Sequence, residues 1–121
     1  MSNQRKWAIL AGVNRYLDGT FQSLKYGVND VKSLHEILVD PSRGSYEKEY
    51  ALLMIDGSDQ KTSPTRSNIM YAVNSIARSA KQEDTILFAF SGHGMEENGL
   101  SYLLPTDARV GVLADTAISI K

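Results

Sequence analysis

The stretch DTILFAFSGHG, residues 84–94, constrains the fold of this chain more than any other. Five consecutive apolar residues run directly into a polar, glycine-containing segment. A strand that is apolar on both faces is typical of a sheet covered by helices. The carboxyl end of such a strand is where open α/β sheets carry their chemistry, and glycines there allow a sharp turn and the close approach of a ligand. His93 is therefore a candidate functional residue. The alternative is a glycine-rich turn with an incidental surface histidine.

Two further strands and two helices precede this segment. Residues 6–13 and 50–55 are short apolar runs with polar residues around them, which predicts buried strands. The first helix is expected to begin after Asn29 as N-cap, with an acid in its first turn, and the second near Ser63–Thr65. Apolar residues recur at helical spacing in both. The predicted stripes comprise Val31, Leu34, Ile37 and Leu38 in the first helix, and Ile69, Val73, Ile76, Ala77 and Ala80 in the second.

This β-α-β-α-β series predicts a parallel sheet with right-handed crossovers and the strand order second, first, third. That order leaves the third strand, the most apolar of the three, at an open edge. Because a long apolar edge strand invites association, we expect another segment to pair with it. Beyond His93, residues 95–99 predict a hairpin turn and residues 100–105 its returning strand, whereas the pattern from 109 to 121 is weak.

The composition excludes several classes of function. The 121 residues are 42% apolar, enough for one domain with a core. A net charge of −1 gives no reason to expect nucleic acid or a membrane surface as a partner. The absence of cysteine excludes disulfides, thiolate metal sites and a cysteine nucleophile within the chain. The first 16 residues have too short an apolar run for a signal peptide, and no apolar run reaches about 20 residues, so the predicted location is the cytoplasm.

Four segments follow one another in an order that resembles a known family, namely Leu24–Asp30, Thr65–Ile69, residues 84–94 and Tyr102–Asp107. In the caspase-like peptidases the similar segments are the entries to two helices, the strand with the catalytic histidine, and the hairpin after it. The chain is similar to the metacaspases and orthocaspases of peptidase family C14. This resemblance implies a three-layer α/β fold of the caspase-hemoglobinase type, with a mostly parallel sheet flanked by helices. It also implies that residues 1–121 are the N-terminal, large-subunit-like portion of the peptidase domain, incomplete because they end before the cysteine-bearing strand.

The resemblance further implies a cysteine–histidine dyad. In that chemistry a thiolate attacks the scissile carbonyl, and the imidazole helps to form the thiolate and then protonates the leaving amine. His93 matches the catalytic histidine, and Gly94 matches the glycine whose backbone N–H helps to hold the oxyanion. Metacaspase-like members cleave after Arg or Lys, which requires a carboxylate in the specificity pocket. Asp30 matches a pocket acid and Ser91 a pocket serine, although Asp30 is also explained as a first-turn helix acid.

The family's nucleophile has no counterpart in this sequence, which contains no cysteine. We therefore expect the histidine-bearing part of a cysteine endopeptidase: a processed chain, a separately encoded subunit or a shortened form. Its expected partners are the cysteine-bearing remainder and peptides with Arg or Lys at the cleavage site. The alternatives are a catalytically inactive caspase-like module that regulates a partner, and a generic α/β binding domain. The sequence requires no cofactor. Family members often need calcium, and Asp115 matches one ligand position.

Overall fold

The computed structural model describes residues 4–120 and has an α/β fold built around a parallel sheet. Three strands form this sheet, namely β1 (Lys6–Gly12), β2 (Ala51–Ile55) and β3 (Thr85–Ser91), in the order β2-β1-β3. Both β2 and β3 run parallel to β1. The predicted strands and their order are confirmed, including the edge position of β3. Residues 48–50 form a 3₁₀ turn, so β2 begins one residue later than predicted.

Two helices, α1 (Gly27–Val39) and α2 (Arg66–Ser79), cover opposite faces of the sheet. Alternate residues of β1 point to opposite faces, so the strand contributes to two cores. The core on the α1 side buries Ala8, Leu10, Val31 and Ala51, and the core on the α2 side buries Ile9, Ala11, Met54, Ile69, Ala72 and Ile76. Helix, sheet and helix form the three layers that were expected for this fold.

The start and the stripe of α1 differ from the prediction. The helix begins at Gly27, and the prediction of Asn29 as N-cap is wrong. A capping acceptor comes instead from the loop after β1, where Asn14 Oδ1 accepts a hydrogen bond from Val28 N–H at 3.0 Å. Ile37 is 43% exposed, because it lies about 120° around the helix from the buried Val31.

Helix α2 begins as predicted, but its stripe is only partly covered. Thr65 is the N-cap, and its hydroxyl accepts a hydrogen bond from Asn68 N–H at 3.1 Å. Two residues of the predicted stripe, Val73 and Ala77, are exposed. They line a groove between α2 and the uncovered edge of β3. The apolar stripe of α2 therefore extends past the β3 edge of the three-stranded sheet.

A second, antiparallel sheet follows β3 and supports the carboxyl edge of the first. It contains β4 (Gly94–Glu97), β5 (Leu100–Leu103) and β6 (Ile118–Ile120), with the short α3 (Leu113–Thr116) before β6. The predicted hairpin is confirmed with different bounds, because residues 95–97 belong to β4 and the returning strand ends at Leu103. Its turn places Asn98 and Gly99 at φ 53° and 79°. A third core lies beneath this sheet and comprises Tyr102, Leu104, Ala108, Leu113 and Ala117, with Tyr16 and Phe21 packed against it. In residues 4–120 no helix has the length and apolarity needed to cross a membrane.

Candidate active site

His93 lies directly beyond the carboxyl end of β3, and its imidazole is held by a backbone carbonyl. The Nε2 atom lies 2.6 Å from the carbonyl oxygen of Gln22, in the loop between β1 and α1. A carbonyl oxygen can only accept a hydrogen bond, so Nε2 carries the hydrogen. In the neutral ring Nδ1 is then the nitrogen with a free lone pair. The contact with Gln22 thus fixes both the orientation and the tautomer of the ring.

The backbone of His93 is held by a second residue of the same loop, Tyr16. The N–H of His93 donates to Tyr16 Oη at 2.8 Å, and this hydroxyl donates to the carbonyl of Leu104 at 2.9 Å. The phenol ring packs against the imidazole with 5.2 Å between ring centroids. Burial raises the pKa of the Tyr16 hydroxyl to about 12, so it remains a donor at neutral pH.

Asp30 and Ser91 meet at this same edge of the sheet. Ser91 is the last residue of β3, Asp30 lies in the first turn of α1, and Ser91 Oγ donates to Asp30 Oδ2 at 3.0 Å. The first turn of α1 packs closely on the strand ends at Gly27, where a Cβ atom would lie 2.9 Å from the carbonyl oxygen of Ser91. The structure therefore brings Asp30 into contact with Ser91, which lies two sequence positions before His93.

Gly94 is the first residue of β4 and pairs with Leu103 of β5. One position earlier, the carbonyl of His93 accepts a hydrogen bond from Leu104 N–H at 2.9 Å, so the polar groups of the His93 backbone face β5. Successive N–H groups of a strand point to opposite sides. The N–H of Gly94 is therefore directed away from β5, and its role as an oxyanion donor stays a prediction.

Sequence reasoning missed a carboxylate that holds the loop after β1. Asp56, directly after β2, accepts hydrogen bonds from Asn14 N–H at 2.9 Å and Arg15 N–H at 2.6 Å. Asp56, Tyr16 and Gln22 all follow the carboxyl end of a parallel strand. For Asp56, which acts through its side chain, that position is the signal that could have identified it, because such ends gather at one edge of the sheet.

The acids downstream of His93 do not converge on one point. Asp107 accepts a hydrogen bond from Arg66 N–H at 2.9 Å, and Asp115 lies exposed in α3. Between residues 4 and 120, no three His, Cys, Asp or Glu side chains group closely enough to hold a metal ion. Calcium takes six to eight oxygen ligands, so the described residues alone do not fit it. The role of Asp115 as a calcium ligand stays a prediction, testable by calorimetric titration of the chain and its Asp115→Asn variant.

Comparison with known proteins identifies the family. The family model of the metacaspase, peptidase C14 domain matches residues 6–118. The chain belongs to the metacaspase family. Metacaspase-7 of Arabidopsis thaliana is 37% identical over 89 residues, covering 74% of this chain and 21% of that protein. Metacaspase-1 of Scheffersomyces stipitis is 36% identical over 90 residues, covering 74% and 22%. Metacaspase-1B of Neurospora crassa is 32% identical over 124 residues, covering 93% and 28%.

These matches confirm the predicted resemblance to caspase-like cysteine peptidases. The chain spans about a fifth of the length of the first two relatives. Family membership accounts for the α/β architecture. The activity, substrates and partners of a whole metacaspase remain proposals for this chain.

Proposed function

We propose that this chain supplies the acid–base half of a caspase-like cysteine endopeptidase that cleaves after Arg or Lys. The observation that carries this proposal is the arrangement of His93, whose Nε2 is held by the Gln22 carbonyl while Nδ1 keeps a free lone pair. The pair formed by Asp30 and Ser91 lies at the same strand end. A base and a carboxylate are thus close together where an open sheet carries its chemistry.

In the proposed reaction the sulfur comes from another segment. Nδ1 of His93 accepts the thiol proton, the thiolate attacks the scissile carbonyl carbon, and the imidazolium returns the proton to the leaving amine as the C–N bond breaks. Water then attacks the thioester, giving its proton to Nδ1, and the thiol is released. Nε2–H donates to Gln22 in both charge states of the ring, which keeps the imidazole oriented throughout. The N–H of Gly94 is suited to stabilise the oxyanion.

The substrate preference rests on the carboxylate of Asp30. Ser91 donates to one carboxylate oxygen, and the remaining acceptor capacity suits the N–H groups of a guanidinium or ammonium ion. A hydrogen bond to a charged group contributes about 1.5–3 kcal/mol. Loss of the Asp30 charge should therefore lower kcat/KM for an Arg substrate by roughly ten- to hundredfold.

The proposed position of the cysteine-bearing segment is the free edge of β3. Within the described range 4–120, β3 has a strand neighbour on one side only. On that strand Ile86 is 51% and Phe88 39% exposed, and both line an apolar groove of about 360 Å³ against α2. An added strand with apolar side chains would satisfy the free backbone groups of β3 and cover this groove.

The test is a peptidase assay on the assembly of this chain with its cysteine-bearing segment. Fluorogenic peptides ending in Arg or Lys should be cleaved, and a peptide ending in Asp should not. Asp30→Asn should lower kcat/KM for the Arg peptide, whereas Glu36→Gln, an exposed acid of the same helix, should leave it unchanged. Equal cleavage of the Asp peptide, or an unaffected Asp30→Asn variant, would contradict the proposed specificity.

A second candidate function is a catalytically inactive caspase-like module, which the exposed apolar side chains on the free edge of β3 also suit. In that case the chain would bind a partner along β3, and no assembly containing it would cleave Arg or Lys peptides. The peptidase assay therefore separates the two functions. The cytoplasmic location stays a prediction, and fractionation of cells with an antibody to this chain would test it.

A further inference from the structure

We propose that Tyr16 is a positioning residue for His93, and that it acts on both the backbone and the imidazole. The catalytic part of this inference rests on the proposed function. The structural part, which concerns how the ring and the backbone of His93 are held, does not.

The hydroxyl of Tyr16 is inserted into the hydrogen-bond ladder that begins at His93. Leu104 N–H donates to His93 O at 2.9 Å, and in a regular antiparallel pair the same two residues would also join His93 N–H to Leu104 O. In this protein Tyr16 Oη stands between these two groups and replaces the direct hydrogen bond. It accepts from His93 N–H at 2.8 Å and donates to Leu104 O at 2.9 Å. The hydroxyl therefore sets the separation between His93 and the neighbouring chain.

The same side chain reaches the imidazole through its ring. The phenol lies against the imidazole and also meets the edge of Phe21, with 5.6 Å between the two ring centroids. Phe21 directly precedes Gln22, whose carbonyl accepts the hydrogen bond from Nε2 of His93. One aromatic ring thus packs against the imidazole and against the residue next to its hydrogen-bond acceptor.

Hydrogen bonds of the residues on either side of Tyr16 fix its position independently of His93. Leu17 N–H donates to the carbonyl of Thr106 at 2.9 Å, and the Thr106 hydroxyl donates to the carbonyl of Arg15 at 2.7 Å. These two bonds tie the residues on either side of Tyr16 to the segment after β5. The hydroxyl therefore holds the backbone of His93 at a fixed position.

The first experiment is nuclear magnetic resonance on the chain itself, comparing the parent with Tyr16→Phe. This substitution keeps the ring and removes the hydroxyl, so the amide of His93 should exchange with solvent about tenfold faster or more. Its proton resonance should also move upfield. Tyr71→Phe, at a tyrosine that is 75% exposed, is the matched control and should change neither. Unchanged exchange at His93 in a folded Tyr16→Phe chain would overturn the backbone part of the proposal.

A second variant, Phe21→Leu, keeps the Tyr16 hydroxyl and removes the aromatic ring that packs against the Tyr16 phenol. The amide of His93 should stay protected, while the imidazole ¹⁵N resonances should change from a single Nε2–H tautomer toward a mixture. A role confined to stability would leave the tautomer unchanged, and that result would overturn the ring part of the proposal. This variant keeps the inference testable if Tyr16→Phe fails to fold.

The catalytic readout is the kinetics of the complete assembly. Tyr16→Phe should lower kcat for an Arg peptide roughly ten- to hundredfold with KM unchanged, because a displaced base affects the chemical step rather than binding. Unchanged kcat would refute the catalytic role of the positioning. An inactive parent assembly would refute the proposed function, and the exchange and tautomer results would still decide whether Tyr16 holds His93.

Discussion

Replacing Gly27 by alanine tests whether the close packing of α1 on the strand ends holds Asp30 beside Ser91. A Cβ atom at this position would lie 2.5 Å from the carbonyl oxygen of Val13 and 2.9 Å from that of Ser91. Both oxygens are backbone atoms at strand ends, so neither can rotate away. A relaxed carbon–oxygen contact needs about 3.3 Å. The first turn of α1 would therefore have to withdraw from the sheet by roughly 0.8 Å.

Opposing effects determine how much Gly27→Ala changes the free energy of unfolding. Alanine favours a helix over glycine by about 1 kcal/mol, whereas overpacking of a close-packed region costs about 1–3 kcal/mol. Asp30 lies in the same turn and would move with it, which stretches its 3.0 Å hydrogen bond from Ser91 beyond the usual range. The loss of that bond costs about 1 kcal/mol. The expected net decrease in the free energy of unfolding is about 1–3 kcal/mol.

Urea unfolding followed by the fluorescence of Trp7, the single tryptophan, measures this change. Gly19→Ala is the matched control. A Cβ atom at Gly19 meets nothing within 4 Å, so the stability should stay within about 0.5 kcal/mol of the parent. A Gly27→Ala chain as stable as the parent would refute the idea that close packing of α1 on the strand ends holds Asp30 beside Ser91.

Asp84 should make stability depend on pH. A hydrogen bond from the backbone N–H of Arg5, with others, holds the pKa of its carboxyl well below the usual range. The unfolded chain therefore takes up this proton first, near pH 4. The urea midpoint should fall as pH is lowered from 5 to 2, and Asp84→Asn should flatten that fall; an unchanged slope would contradict it. Thr65→Ala removes the N-cap of α2 and should cost about 1 kcal/mol in urea unfolding. Ser67→Ala, exposed in the same turn, should cost less than about 0.5 kcal/mol, and equal losses would argue against capping. Phe88→Lys should abolish binding of the cysteine-bearing segment in pull-down while the chain stays folded, and retained binding would exclude the β3 edge.

The parts of the fold that the sequence predicted are those with long apolar patterns. Strands β1, β2 and β3 each contain five consecutive apolar residues, and α1 and α2 each carry apolar residues at helical spacing. The alternation of strands and helices predicted the parallel sheet. By contrast, α3 and β6 have four and three residues. Elements this short produce no periodic signal.

The sequence predicted those residues of the candidate site whose side-chain type itself indicates a chemical role. His93, Asp30 and Ser91 were identified from the residues and the family resemblance, and the structure brings the last two into contact. Gln22 acts through a backbone carbonyl, which every residue possesses, so no sequence pattern could single it out. Tyr16 acts through a contact with a residue 77 positions away. A tyrosine in a polar loop gives no local sign of such a partner.

The imidazole of His93 is the group on which the proposed chemistry depends. The decisive measurement is the rate of Arg-peptide hydrolysis by the complete assembly carrying His93→Ala, beside an assembly carrying His35→Gln. His35 is the other histidine of the chain, and its Nε2 lies 3.2 Å from the carbonyl oxygen of Ala51 in β2. We expect His93→Ala to lower kcat by about 10²–10⁴-fold and His35→Gln to leave it within about twofold. Equal rates for the two variants would show that His93 handles no proton in the reaction.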